Sequence, residues 1–270
     1  MLKNEGDRLS RVVVCTPEDE YFKAVNLKTH NINEIADPDR THEQHGRLKS
    51  IISGSGCEVV DMPELAGHPN SVFTRDVSLV TPEGYIKLRM GIKTRRGEEQ
   101  WMSQILESLG ESCAGEIKAP GTVEGGDIFL AGSTAFIGLS KRTNTEGAHQ
   151  ISRILEGMNY EVRIFPVKGN HLHLGGVMSL IAPDKVLCCR GMFPEVFFQG
   201  FDVIETADSG PSCGNVICLD KNVVIANTAE NMETINILES SGVKVIGIDL
   251  SEFRKGAGGP TCLILPVERK

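Results

Sequence analysis

Apolar residues recur along the chain with two periods, and their alternation predicts the elements. Runs rich in Val, Ile and Leu, bounded by Gly, Pro, Asn or Asp, predict strands at 11–17, 57–62, 77–81, 85–89, 128–131, 134–139, 162–167, 177–182, 185–189, 215–219, 223–226, 243–248 and 262–266. Between them, apolar residues three and four apart predict amphipathic helices. One runs from about Thr41 to Ser53 and stops near Gly54 and Gly56. Another, over 98–109, puts Met102, Ile105, Leu106 and Leu109 on one side ahead of Gly110. Thr143-Asn-Thr-Glu146 and Asn227-Thr-Ala-Glu230 have the form of capping boxes. Behind the first, Ala148, Ile151 and Leu155 share a face; behind the second, Met232, Ile235 and Leu238 do.

Strand pairs precede a helix and a further strand follows it. That order predicts mixed sheets instead of a plain alternating parallel one. Units of roughly 50 residues suggest a repeat architecture. A chain of 270 residues buries a full core as one large domain or two small ones.

Charge and composition narrow the classes. A formal net charge of −8 argues against a nucleic-acid surface, which needs clustered Lys and Arg. No apolar run approaches the roughly 20 residues that span a bilayer. The polar start Met-Leu-Lys-Asn-Glu-Gly-Asp lacks a signal-peptide apolar region, so a cytoplasmic protein is expected. Of the eight cysteines, Cys15, Cys57, Cys188, Cys189, Cys218 and Cys262 lie in or beside apolar segments, as reduced packing cysteines do. Cys188-Cys189 and Cys213 with Cys218 match zinc spacing poorly, so no metal is expected.

Cys262 stands apart. It closes Gly256-Ala-Gly-Gly-Pro-Thr-Cys262, where glycines allow close approach of a ligand and amide N–H groups face negative charge. Such a thiol is better placed to ionise and attack an electrophile than one sealed in a core. Val123-Glu124-Gly-Gly-Asp127 and His171-Leu-His173-Leu-Gly175 add carboxylate and imidazole, and Phe73-Thr-Arg-Asp76 adds a second acid. Two acids beside a thiol would bind a planar cation such as guanidinium. They would also raise the thiol's pKa until that cation arrives. His173 is the natural acid and base. Taken singly, each motif has a plain alternative: a tight turn, a half-buried histidine, a core cysteine. Their joint presence in this order is far more specific.

Phe73-Thr-Arg-Asp76, Glu124-Gly-Gly-Asp127, Ile137-Gly-Leu-Ser-Lys-Arg-Thr-Asn144, Leu172-His-Leu174 and Gly259-Pro-Thr-Cys262 together resemble the guanidino-group-modifying superfamily. The likeness spans nearly the whole chain. It is strongest to the dimethylarginine dimethylaminohydrolases in length and in the Gly-Leu-Ser-Lys-Arg-Thr-Asn stretch. The resemblance implies one α/β domain over residues 1–270, a five-bladed pentein-type propeller of ββαβ repeats with its site in the central channel, and no metal or cofactor. It implies Cys262 as nucleophile, His173 as acid and base, and Glu124 as the acid that orients His173 and the substrate. Asp76 would grip guanidinium nitrogens, Arg142 and Arg95 would hold a substrate carboxylate, and Asn70 and Phe73 would contact the amino-acid end. His171 is read as a loop or surface residue. A small guanidino substrate is the implied partner, and self-association is left open.

Two departures bear on the substrate. Arg75-Asp76 with Asn70 follows the arginine deiminase form, where dimethylarginine hydrolases tend to carry two adjacent acids. Gly175 stands where arginine deiminases carry a second aspartate, and losing it would leave an unsubstituted guanidinium short of acceptors while giving methyl groups room. The long inserted helical region of arginine deiminases is absent. Dimethylarginine hydrolysis is favoured over arginine deimination, with an amidinotransferase or a non-catalytic propeller binding protein as further readings.

Overall fold

The apolar runs pair as antiparallel hairpins, and most hairpins lead through a helix into a parallel strand. The computed structural model describes residues 2–206, 210 and 212–270. It begins with β1 (Leu9–Cys15), α1 (Asp19–Phe22), α2 (Pro38–Gly54) and β2 (Glu58–Met62). Next come β3 (Ser78–Thr81), β4 (Gly84–Lys87), α3 (Glu98–Ser108) and β5 (Cys113–Glu116). They are followed by β6 (Ile128–Ala131), β7 (Thr134–Leu139), α4 (Thr145–Gly157) and β8 (Glu161–Pro166). β9 (Met178–Ala182) and β10 (Lys185–Cys188) reach β11 (Asp202–Glu205) through a short 3-10 turn, Glu195–Phe198, in place of a helix. The chain finishes with β12 (Val216–Asp220), β13 (Val223–Asn227), α5 (Met232–Ser240), β14 (Lys244–Ile248), α6 (Ser251–Lys255) and β15 (Leu265–Arg269).

Among the described residues these strands make five three-stranded sheets, ordered β15-β1-β2, β3-β4-β5, β6-β7-β8, β9-β10-β11 and β12-β13-β14. In each, the middle strand is antiparallel to one neighbour and parallel to the other, because a helix or long connection must carry the chain back for a parallel partner. The first sheet needs both ends of the chain: Val12 faces Pro266 and Val13 faces Leu265.

Helix faces follow their apolar spacing. Ala148, Ile151 and Leu155 of α4 are buried, as are Met102, Ile105 and Leu106 of α3. Other details differ. Asn144, not Thr143, caps α4, its side chain accepting from Gly147 N at 2.7 Å. Asn227 caps no helix; its Oδ1 accepts from Ala229 N and Leu250 N, and α5 starts later, leaving Met232 54% exposed. β5 and β11 escaped the sequence pattern because they are short edge strands with half-exposed, polar ends. The strand expected at 262–266 begins at Leu265, and Cys262 sits in a 3-10 turn ahead of it.

The cysteine expectation is corrected at one pair. Cys189 and Cys213 are joined as a disulfide with Cα atoms 6.0 Å apart, 24 residues apart in sequence. Only folding brings such distant positions together, so local apolarity could not announce it. Six other cysteines are free.

The N-terminal segment packs beneath the motif at 73–76. Glu5 N donates to Leu130 O, and both Glu5 oxygens accept from Arg75 Nη1 and Nη2 at 2.8 Å. Arg75 also donates to Ile128 O and stands 5.0 Å over the Phe129 ring. Both partners are at most 5% exposed. Removing one member of such a pair strands a buried charge. Glu5→Ala is therefore expected to lower stability by about 3–5 kcal/mol, read from the urea midpoint. A negligible shift would show that Arg75 does not depend on the N-terminal segment.

Candidate active site

Four of the five sheets are entered through a 3-10 turn, and each such turn carries one of the residues singled out in the sequence. Thr74–Asp76 leads towards β3, Gly125–Asp127 into β6, Leu174–Gly176 towards β9 and Pro260–Leu263 towards β15. Asp76 ends the first turn, Glu124 and His173 immediately precede the second and third, and Cys262 lies in the fourth. Repeated local geometry thus brings together four residues that are far apart in the chain.

Their contacts form a buried ionic network. His173 Nε2 lies 2.8 Å from Glu124 Oε2, and His173 Nδ1 lies 3.9 Å from Asp76 Oδ1. Arg142 Nη1 donates to both Glu124 oxygens at 3.2 and 3.3 Å. Arg95 donates from Nη1 to Asp76 Oδ2, from Nε to Glu98 Oε2 and from Nη2 to Phe73 O. Arg95 was expected to receive a substrate carboxylate, yet each of its three nitrogens is already bonded to protein. The Phe73 ring packs against the glycine run, where a Cβ at Gly258 would lie 2.1 Å from Phe73 Cε1. Asn70 is buried beside them.

Asp127 fixes the histidine turn from behind. Its Oδ2 accepts from Ser140 and Thr143 hydroxyls at 2.6 and 2.7 Å, and its Oδ1 accepts from Leu174 N at 2.8 Å. Burial raises its pKa to about 6. The sequence showed Asp127 within a motif but supplied no partner for it.

A cavity of about 370 Å³ opens over Cys262 and His173, walled partly by the bare backbone of Gly126, Gly175 and Gly176. A narrow annex of about 20 Å³ joins Cys262 and His173 to Asn70, Phe73, Asp76 and Arg142. Lys141, His171 and Arg254 stand around the larger cavity, none of them expected there. His171 is a half-exposed loop residue, as expected, but it stands at the cavity, and burial lowers its pKa. Two buried acceptors at the annex, Asp76 Oδ1 and Asn70 Oδ1, have no hydrogen-bond partner. Ligand atoms of Asp76, Glu124 and His173 lie within 4.8 Å of one another, close enough to hold a metal ion. The arrangement already supplies cations of its own, from Arg95, Arg142 and a protonated His173.

Protonation follows from this packing. Burial would lower the His173 pKa, but Asp76, Asp127 and the hydrogen-bonded Glu124 outweigh it and raise it to about 9. Burial would raise Glu124, but the hydrogen bond and charge of His173, with Arg142 and Arg95, hold it well below the usual carboxylate range. Burial and then Asp76 push the Cys262 thiol up to about 11, opposed by Gly259 N–H and the Asn215 side chain. The packing therefore favours imidazolium at His173, carboxylate at Glu124 and neutral thiol at Cys262. A buried imidazolium next to a thiol can protonate a leaving group, and the thiol can attack once positive charge arrives.

Because His173 is raised above its ordinary 6.5, its contribution to stability is complete below that value and is lost as pH rises through about 9. Glu124→Gln removes one of the supporting charges. The ring titration, followed by NMR, is expected to move down from about 9 towards 6.5. An unmoved value would show that the aspartates alone hold the proton.

Known proteins resemble this chain over most of its length. The family model described as N,N dimethylarginine dimethylhydrolase, eukaryotic, matches residues 13–269. An uncharacterized protein of Aeropyrum pernix is 32% identical over 268 residues, covering 97% of each chain. N(G),N(G)-dimethylarginine dimethylaminohydrolase of Pseudomonas aeruginosa is 30% identical over 236 residues, covering 86% of this chain and 91% of its own. A mutant of the Pseudomonas aeruginosa enzyme, solved in complex with citrulline, superposes with a TM-score of 0.83 at 27% identity, covering 96% of this chain and 99% of that one.

Proposed function

This chain belongs to the N,N dimethylarginine dimethylhydrolase family, and on that premise we propose that it hydrolyses the guanidino C–N bond of an N-methylated arginine to citrulline and an amine. The observation that carries the reading is the pair of buried acceptors without donors, Asp76 Oδ1 and Asn70 Oδ1, bordering the annex that Cys262 and His173 also line. A guanidinium brings a planar fork of N–H donors and a positive charge to that place.

In the proposed reaction the substrate's charge offsets Asp76, the Cys262 thiol gives its proton to solvent, and the thiolate attacks the guanidinium carbon. The C–N bond to the methylated nitrogen breaks, and the amine leaves with a proton from His173. His173, now neutral, takes a proton from water as the water oxygen attacks the thiouronium carbon. The C–S bond then breaks as the C=O forms, the remaining hydroxyl proton passes to the departing sulfur to restore the thiol, and citrulline is released. Glu124 orients His173. Asp76 grips the guanidinium while Arg95, fully bonded to protein, holds Asp76 in place. Arg142 keeps the N–H groups not facing Glu124 for the substrate carboxylate. Room for methyl groups is supported by the glycine wall: a Cβ at Gly176 would meet nothing nearer than Ser212 N at 3.9 Å. Gly175 is tighter, since a Cβ there would lie 3.1 Å from Gly126 O and 3.2 Å from Phe129 Cζ.

The proposal includes the architecture. The five sheets are read as the blades of a pentein-type α/β propeller, one domain with the site in its central channel. The recurrence of one turn at the entrance of four sheets supports this. The predominance of free thiols supports a cytoplasmic setting.

Two experiments test the chemistry. Citrulline formation is expected with asymmetric dimethylarginine in preference to arginine, and to vanish in Cys262→Ser; faster release of ammonia from arginine would favour deimination. Chloroacetamide, which is neutral, should label Cys262 faster as pH rises towards about 11. A cationic chloroamidine should label the same thiol at markedly lower pH, because it brings its own offsetting charge. Identical pH profiles for the two reagents would contradict a thiol ionised by its substrate.

A further inference from the structure

The turns that enter four of the sheets each supply one residue to the site, which raises the question of the fifth. The chain enters β12 through Ser212-Cys213-Gly214-Asn215, and the residue directly before the strand is Asn215. It is 3% exposed and borders the same cavity as Cys262. Its Oδ1 accepts from Thr261 N at 3.0 Å, and this contact fixes the orientation of the amide. Nδ2 is thereby turned to the thiol, 3.9 Å from Cys262 Sγ. A second donor, Gly259 N–H, reaches Sγ at 3.5 Å. Space for the amide depends on Gly259, where a Cβ would lie 2.9 Å from Asn215 Cγ.

We propose that Asn215 is a positioning residue for the nucleophile: its amide anchors the turn carrying Cys262 and, with Gly259 N–H, forms a two-donor cradle for the sulfur anion. The inference rests on the reading of Cys262 as nucleophile and deepens it. A neutral thiol needs little from such donors, whereas a thiolate gains a charge-assisted hydrogen bond from each. The cradle therefore favours the ionised form selectively. It works against Asp76, which disfavours that form in the absence of substrate. Neither the glycine run nor the spacing of Cys213 and Cys218 points to this asparagine.

The test compares wild type, Asn215→Ala and Asn215→Asp in alkylation by chloroacetamide, with the labelled residue identified by peptide mapping. In this reaction an S–C bond forms and chloride leaves, so the rate below the thiol's titration follows the thiolate fraction. Asn215→Ala is expected to react about three- to tenfold more slowly at a given pH, with the titration moved upward accordingly. Asn215→Asp keeps an oxygen for Thr261 N–H but has no N–H for sulfur and adds negative charge, so it should be slower still. In turnover, kcat should fall while KM changes little, because the amide contacts sulfur and backbone only.

Melting curves report folding of each variant. Should Asn215→Ala fail to fold, the near-isosteric Asn215→Asp decides. Wild-type pH profiles in the folded variants, with the label on Cys262, would overturn the inference and leave the nucleophile assignment standing. Failure of Cys262 to take the label in wild type at any pH, while the exposed Cys113 does, would overturn both.

Discussion

Buried acids in this protein are packed among cations, which hold Glu124 well below the usual carboxylate range, and the rest of the site follows from that balance. Asp76, Glu124 and Glu98 have side chains at most 5% exposed, and Arg95, Arg142 and His173 lie directly against them. A carboxylate taken from water without such partners would protonate. The pairing holds His173 as imidazolium, and burial together with Asp76 holds Cys262 as a thiol. On the proposed reading, proton donor and nucleophile both rest until a cation enters. Asp76 Oδ1 and Asn70 Oδ1, buried without a hydrogen-bond partner, are the acceptors that reading gives it.

The fold delivers this balance through repetition. One turn type, placed ahead of the first strand of a sheet, presents a side chain at the same end of four sheets. The chemistry of each turn differs while all four are 3-10 turns. Completing the first sheet with β15 draws Leu263 and Ile264, next to Cys262, into the core formed around β1, α2 and α6. Asp127 and Glu5 act at one remove: Asp127 holds the backbone after His173, and Glu5 neutralises the guanidinium next to Asp76. Such supporting contacts locate reacting groups more firmly than loops alone would.

Arg75 shows how a motif residue can mislead about substrate choice. In the sequence it leans towards arginine deimination because it stands beside Asp76. In the structure its guanidinium is bound by Glu5, Gly125 O and Ile128 O. Held there, it also lines the cavity over Cys262, its charge opposes the burial that raises the thiol's pKa, and it says little about whether methyl groups are accepted. The glycine wall at 175 and 176 bears on that question more directly.

Local pattern by itself determined most of the strands, the buried faces of α3 and α4, and the identities of Asp76, Glu124, His173 and Cys262, because period and short motifs are properties of neighbouring residues. Edge strands such as β11 escaped, since a half-exposed strand of four residues carries too little apolar signal. Pairings between distant positions were decided only by tertiary structure: Cys189 with Cys213, Glu5 with Arg75, Arg95 with Asp76, Asn215 with Cys262. Each depends on which surfaces the sheets bring face to face. A sequence names the groups that carry charge or sulfur, but their protonation and their partners depend on burial and distance, and these exist only once the chain has closed on itself.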